Sequence, residues 1–232
     1  MRGPDVDALE LQCKELSALL NELDDVDWER PSRCPGWTVK ELAAHCEGMM
    51  QRLVTYNAQA VDEPAKIDRV GYYGYDPDGP REGEDPSKPF SEVIRDRVID
   101  EAGTRSGPEI RDGVASAIED MIGGLAEIPG ERVIKRSGHP PIRFDEFVAS
   151  RVLEFGVHTA DIGHATLRGE RIHPDAVPII TGILHGLLGA PLPVGMGWDD
   201  RTFILTGTGR RHLEPNERFA LGPLAEKFPL LA

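Results

Sequence analysis

Apolar positions recur at helical intervals through most of the chain. Val6, Leu9, Cys13, Leu16, Leu19, Leu20 and Leu23 keep to one face of a 3.6-residue period, which predicts a helix over 5–23. The stretch from Trp28 to Gly36 holds two prolines and a glycine and reads as a loop. A second helix starts at Thr38, an N-cap with Glu41 at the third helical position, which makes a capping box. Trp37 and Leu42 are placed to form a hydrophobic staple around it. Leu42, Cys46, Met49, Met50, Leu53 and Tyr56 trace its inward face to about residue 60, and His45 lies on the same side.

Residues 62–90 are rich in Pro, Gly, Asp and Tyr and read as one long loop. Its tyrosines, in Gly71-Tyr-Tyr-Gly-Tyr75, either cover a pocket or pack the loop onto the helices. Two helical pieces follow, over 90–103 and 108–128, separated by Ser106-Gly-Pro108. A linker with a short extended stretch at 132–135 leads to a last long helix over 144–167. Beyond Pro174 the pattern changes: one more helix over 175–189, a strand over 201–206, and a turn at Gly207-Thr-Gly209. The expected fold is mainly α, a helical bundle over 1–170 with a small α/β C-terminal region over 171–232.

The long helix near the end carries the candidate chemistry. Phe144, Val148, Val152, Phe155 and Ile162 form one stripe, and Phe147, Arg151, Glu154, His158, Asp161 and Ala165 the next. Ionisable groups beside an apolar stripe are expensive to bury unless they pair or ligate something. Glu154 and His158 are four apart and share a face. With His45 from the upstream helix they supply a carboxylate and two imidazoles, donors that suit zinc and related divalent ions. A structural zinc site normally has four protein ligands, so three leave a position for water, thiol or substrate. Asp161 is placed to accept a hydrogen bond from the second nitrogen of His158, and Arg151 to orient Glu154 or hold an anionic substrate. The competing reading is an intrahelical salt-bridge ladder on a solvated face, with His45 a packed core residue. Cys34, just before a helix N-terminus, reads either as a nucleophile or as a small packed residue in a tight Pro-Gly turn.

Composition narrows the partners. The chain has 232 residues, 28% of them charged, and a formal net charge of −14, which argues against non-specific nucleic-acid binding. No apolar run approaches the roughly 20 residues that span a bilayer. The first residues lack the basic-then-apolar order of a signal peptide, and the three cysteines form no CxxC pair. The expectation is a cytoplasmic protein without membrane or nucleic-acid partners.

Two motifs together carry a resemblance. Pro31-Ser-Arg-Cys-Pro-Gly-Trp37-Thr-Val-Lys-Glu-Leu-Ala-Ala-His45, and later Arg151-xx-Glu154-xxx-His158-xx-Asp161, resemble the mycothiol-dependent maleylpyruvate isomerase family, one of the DinB-like metal-binding bundles. The resemblance covers residues 5 to about 168, and the remainder is similar to, but shorter than, the α/β C-terminal domain often found there. It implies a DinB-like four-helix bundle with a divalent metal, usually zinc, on His45, Glu154 and His158, and mycothiol as thiol cosubstrate. It also implies an arginine supplied by the C-terminal region, for which Arg210 or Arg211 is the counterpart. The function so implied is metal-dependent activation of a low-molecular-weight thiol for attack on a small electrophile, as isomerase or S-transferase. A thiol-independent metal-dependent hydrolase and a non-catalytic metal-binding regulatory module are the alternatives.

Overall fold

A computed structural model describes residues 3–74, 90–136 and 139–231. Helix α1 (Pro4–Leu20) opens with proline in its first turn and Asp5 and Asp7 beside the positive end of the helix dipole. The short α2 (Asp25–Trp28) is capped by Asp24, and α3 (Val39–Thr55) by the Thr38–Glu41 box expected from the sequence. A 3-10 turn over Tyr56–Gln59 continues α3. Then come α4 (Arg69–Tyr73), α5 (Phe90–Ala102) and α6 (Gly107–Ala126), the last started by a Ser106–Glu109 capping box. Strands β1 (Val133–Ile134) and β2 (Ile142–Arg143) pair antiparallel, with Val133 opposite Arg143 and Ile134 opposite Ile142. They lead into α7 (Phe144–Ala165), followed by α8 (Val177–Leu188), α9 (Asp200–Gly207) and α10 (Pro215–Leu221).

Four long helices make the bundle. Helix α1 packs on α7 and α6, and α3 packs on α6 and α7, which closes the ring. Leu9, Leu16, Leu19, Leu20, Leu42, Met50, Leu53, Ile110, Met121, Phe144, Phe147 and Phe155 are the largest of its fully buried side chains. Helix α7 is buried on nearly every side, because α8 covers the face the other three leave. Its polar groups are therefore held by partners. Gln12 donates to Thr159 Oγ1 (3.1 Å) and accepts from the His173 backbone (2.8 Å), which ties α1, α7 and the chain after α7 together. Gly163 lets the chain fold back at the end of α7, since a Cβ there would lie 1.9 Å from the Gly169 carbonyl oxygen.

Two sequence expectations are corrected. Residues 201–206 are helical, within α9. The run Thr-Phe-Ile-Leu-Thr has strand-forming residues, but the Asp199 carboxylate caps the segment at Thr202 N (2.7 Å), and Phe203 and Ile204 bury against α8. Among the described residues every regular element after 171 is helical, with no strand. The loop expected over 62–90 contains α4, capped by Asp68 and anchored by Arg69 on Glu146 (2.7 Å) and Asp5 (2.9 Å). Tyr75 and Asp76–Gly79 of that expectation lie outside the described residues.

A bidentate pair braces the C-terminal helices. Arg211 donates to both oxygens of Glu217 (2.8 Å each) and Trp198 Nε1 donates to the same carboxylate (2.7 Å). The Arg211 hydrogen bond leads the effects that lower the Glu217 carboxyl from 4.5 to about 2. A lowered folded-state value means stabilisation that is complete above 4.5 and lost as the pH falls through about 2. Urea midpoints followed down that window are expected to drop further for the native chain than for Glu217→Gln; equal slopes would refute the linkage.

Candidate metal centre

Residues from three elements meet beside α7. The Pro31–Trp37 turn is closed by Ser32, whose backbone N–H donates to the Trp37 carbonyl (2.8 Å) and whose hydroxyl accepts from Cys34 N (3.1 Å). Gly36, at φ +83°, completes the turn and sets Cys34 against α7. The capping box then starts α3 so that His45 faces the bundle, 8% exposed, with its ring 5.0 Å from that of Trp37 and 5.4 Å, edge-on, from that of His158. His45 Nδ1 is buried and has no hydrogen-bond partner among the described residues. A buried imidazole nitrogen left bare carries a desolvation cost, which a ligated cation would remove.

His158 is the hub. Its Nε2 lies 3.5 Å from Glu154 Oε2, and its Nδ1 lies 3.6 Å from Asp161 Oδ2 and 4.0 Å from Cys34 Sγ. Cys34 Sγ is 3.8 Å from the same Asp161 oxygen. One ring nitrogen thus faces Glu154, and the other faces Cys34 and Asp161. Among the described residues, the set whose donor atoms all lie within 4.8 Å of one another is Cys34, His158 and Asp161. The sequence had offered Cys34 as nucleophile or packing; its place beside α7 was not legible, because no local spacing links residues 34 and 158.

The surrounding charges organise these donors. Arg210 donates from Nε to Asp161 Oδ1 (3.1 Å) and from Nη2 to Oδ2 (2.8 Å), a bidentate pair with a fully buried carboxylate. Arg211 instead serves Glu217 and Thr206, so of the two expected arginines only Arg210 reaches the cluster. Arg151 is buried 3.7 Å from Glu154, with its guanidinium over the rings of Phe147 (5.0 Å) and Tyr72 (5.2 Å). The Tyr73 hydroxyl sits 2.7 Å from the Ser150 carbonyl and 3.1 Å from Glu154 Oε1, a contact sequence reading had left between packing and pocket.

Burial opposes ionisation of both carboxylates, but His158 and the arginines outweigh it and hold Glu154 and Asp161 below their usual range. Burial also opposes charge on His158, yet its bonds to Asp161, Cys34 and Glu154 raise it well above an ordinary histidine. His45, desolvated and next to His158, is held well below. Cys46 points into the core, where burial pushes its thiol up to about 12, so it is no donor here.

The salt-bridge-ladder reading of α7 fails on burial, because Arg151 and His158 are each 9% exposed and Asp161 is 0% exposed. Two buried imidazoles, one with a bare nitrogen, and two ionised carboxylates have the donor chemistry of a divalent-cation site.

Residues 9–163 match the sequence model of a family described as the mycothiol maleylpyruvate isomerase N-terminal domain. Among solved structures, the chain resembles the crystal structure of a histidine-to-alanine mutant of mycothiol-dependent maleylpyruvate isomerase. That likeness has 16% identity and a TM-score of 0.52, and covers 78% of this chain and 68% of the other. Comparison with curated proteins gives no significant match. Among the described residues no helix is long and apolar enough to cross a membrane.

Proposed function

Because this chain belongs to the mycothiol maleylpyruvate isomerase N-terminal domain family, we propose that it is a metal-dependent enzyme that activates a low-molecular-weight thiol, mycothiol, for attack on a small electrophile. His45, Glu154 and His158 Nε2 would hold the ion, which we take to be zinc. The observation that carries the reading is the buried Nδ1 of His45, which has no hydrogen-bond partner among the described residues, on a ring 5.4 Å from that of His158, itself 3.5 Å from Glu154. When bound, a divalent cation of this kind supplies Lewis acidity that keeps a thiol ionised near neutral pH.

The chain's own groups do the positioning. Asp161 Oδ2 lies 3.6 Å from His158 Nδ1, where it favours an N–H on that nitrogen and would leave Nε2 free to ligate, and Arg210 fixes that carboxylate in turn. Tyr73 and Arg151 hold Glu154 from its other side. Arg151, buried against two aromatic rings and with Glu154 as its one ion-pair partner among the described residues, has donors to spare for an acidic group on the substrate. The thiolate adds to an electron-poor carbon of the substrate. The electron pair displaced from the double bond moves onto the neighbouring carbonyl as an enolate; its collapse with expulsion of the thiolate after bond rotation gives cis–trans isomerisation, whereas its protonation from solvent with the C–S bond kept gives S-transfer.

Protein purified without chelators is expected to carry one equivalent of zinc by elemental analysis, and to bind mycothiol in calorimetry only when that zinc is present. His45→Ala and Glu154→Gln are each expected to lose the metal. Unchanged metal content in both variants would refute the ligand set, and metal-independent thiol binding would refute the role of the ion.

A further inference from the structure

We propose that Cys34, His158 Nδ1 and Asp161 form a second cation station, on the opposite side of the His158 ring from Glu154, that selects a soft, thiophilic divalent ion. It shares His158 with the centre proposed above but rests on different donors.

The geometry is close to what such an ion needs. The three donor separations are 4.0, 3.8 and 3.6 Å. Metal–sulfur, metal–nitrogen and metal–oxygen bonds of ordinary zinc length span tetrahedral edges of roughly 3.3–3.6 Å. A contraction of a few tenths of an ångström along each edge closes the site. Cys34 sits on a turn and is half-buried, so it can make that shift and an ion can reach it. Arg210 takes one lone pair on each Asp161 oxygen, and an ionised carboxylate offers about four, so Oδ2 keeps one for a cation. The guanidinium fixes the carboxylate plane while tempering its charge. A thiolate among the donors is what separates this station from the His–Glu–His set: sulfur favours soft ions, whereas imidazole and carboxylate alone do not discriminate in that direction. Binding exchanges the Cys34 S–H bond for a sulfur–metal bond and displaces the extra proton of a protonated His158 ring, and both protons leave to solvent.

The shared ring makes the two stations alternatives. A neutral imidazole has one lone pair for a metal and one N–H to donate. With Nδ1 ligated, the N–H at Nε2 points to Glu154, 3.5 Å away; with Nε2 ligated, the N–H at Nδ1 points to Asp161, 3.6 Å away. Each carboxylate is thus a ligand in one state and the ring's hydrogen-bond acceptor in the other. The identity of the ion decides which.

Cadmium is the probe. Titration of the metal-stripped full chain with Cd²⁺ is expected to raise an ultraviolet sulfur-to-cadmium charge-transfer band that saturates at one equivalent. The band should persist in Cys46→Ala and in His45→Ala, vanish in Cys34→Ser, and need roughly tenfold or more Cd²⁺ in Asp161→Asn. Peptide mapping after alkylation gives a second measurement on the unmutated chain, where Cd²⁺ should protect Cys34 selectively. No band and no protection in protein that still binds zinc would overturn this station and leave the His45–Glu154–His158 centre standing. A band that survives in Cys34→Ser would overturn it as well. Loss of zinc from His45→Ala with the cadmium band intact would support it and keep the two sites distinct.

Discussion

Asp161→Ala is expected to cost about 3–5 kcal/mol of folding stability, the scale for breaking one side of a buried ion pair. The side chain of Asp161 is 0% exposed and that of its partner Arg210 only 17%. Removing the carboxylate leaves a guanidinium that cannot reach bulk water freely and has no other carboxylate within ion-pair distance among the described residues, and it strips His158 of the carboxylate beside its Nδ1. The damage therefore comes from the charge left behind. That makes a double variant diagnostic: Asp161→Ala with Arg210→Met should recover most of the loss. Denaturant unfolding of the two single variants and the double closes a thermodynamic cycle. Simple additivity in that cycle would mean that the pair is not the source of the effect.

The second large effect is at His158. Replacing it with alanine removes a nitrogen from each donor set, so the chain should lose metal by whichever face the ion enters. Loss of a supporting residue around a metal typically costs 10- to 100-fold in affinity, and loss of a ligand should cost on the order of 100-fold or more. Competition with a chromophoric chelator would measure it. His45→Ala and Cys34→Ser are expected to behave differently from His158→Ala and from each other, because each touches one face only. A His158→Ala chain that still holds stoichiometric zinc would show that neither constellation is the metal centre.

How far the sequence led depends on whether the deciding contact was local. The capping box at Thr38 and Glu41 was visible because both partners lie within one turn, and it fixed both the start of α3 and the inward direction of His45. The Glu154–His158 neighbourhood and the place of Asp161 one turn later followed from helical spacing in the same way. The bundle itself was legible in the apolar stripes of the long helices, and the likeness in fold to one solved isomerase structure agrees with it. Residues 201–206 misled because β-branched and aromatic residues raise strand propensity, while what decides the matter is a cap at Asp199 and a docking face on α8. Cys34 and Tyr73 were underrated for another reason. Their partners are 124 and 81 residues away, and only the assembled bundle brings them to α7. Choosing Arg210 over its neighbour Arg211 required the course of the backbone after α9, where adjacent side chains diverge to Asp161 and Glu217.

The Arg210 latch makes the last quarter of the chain a participant in the dynamics of the centre. Arg210 lies three residues past the end of α9, and its guanidinium also donates to the carbonyl of Thr208, the residue that caps the helix (2.5 Å), so its reach depends on that helix end being formed. Transient fraying of α9 would unlatch Asp161 and leave the His158 ring free to turn. Amide-exchange protection in α9 and rotational freedom of one imidazole some fifty positions earlier in the chain should rise and fall as a single cooperative unit.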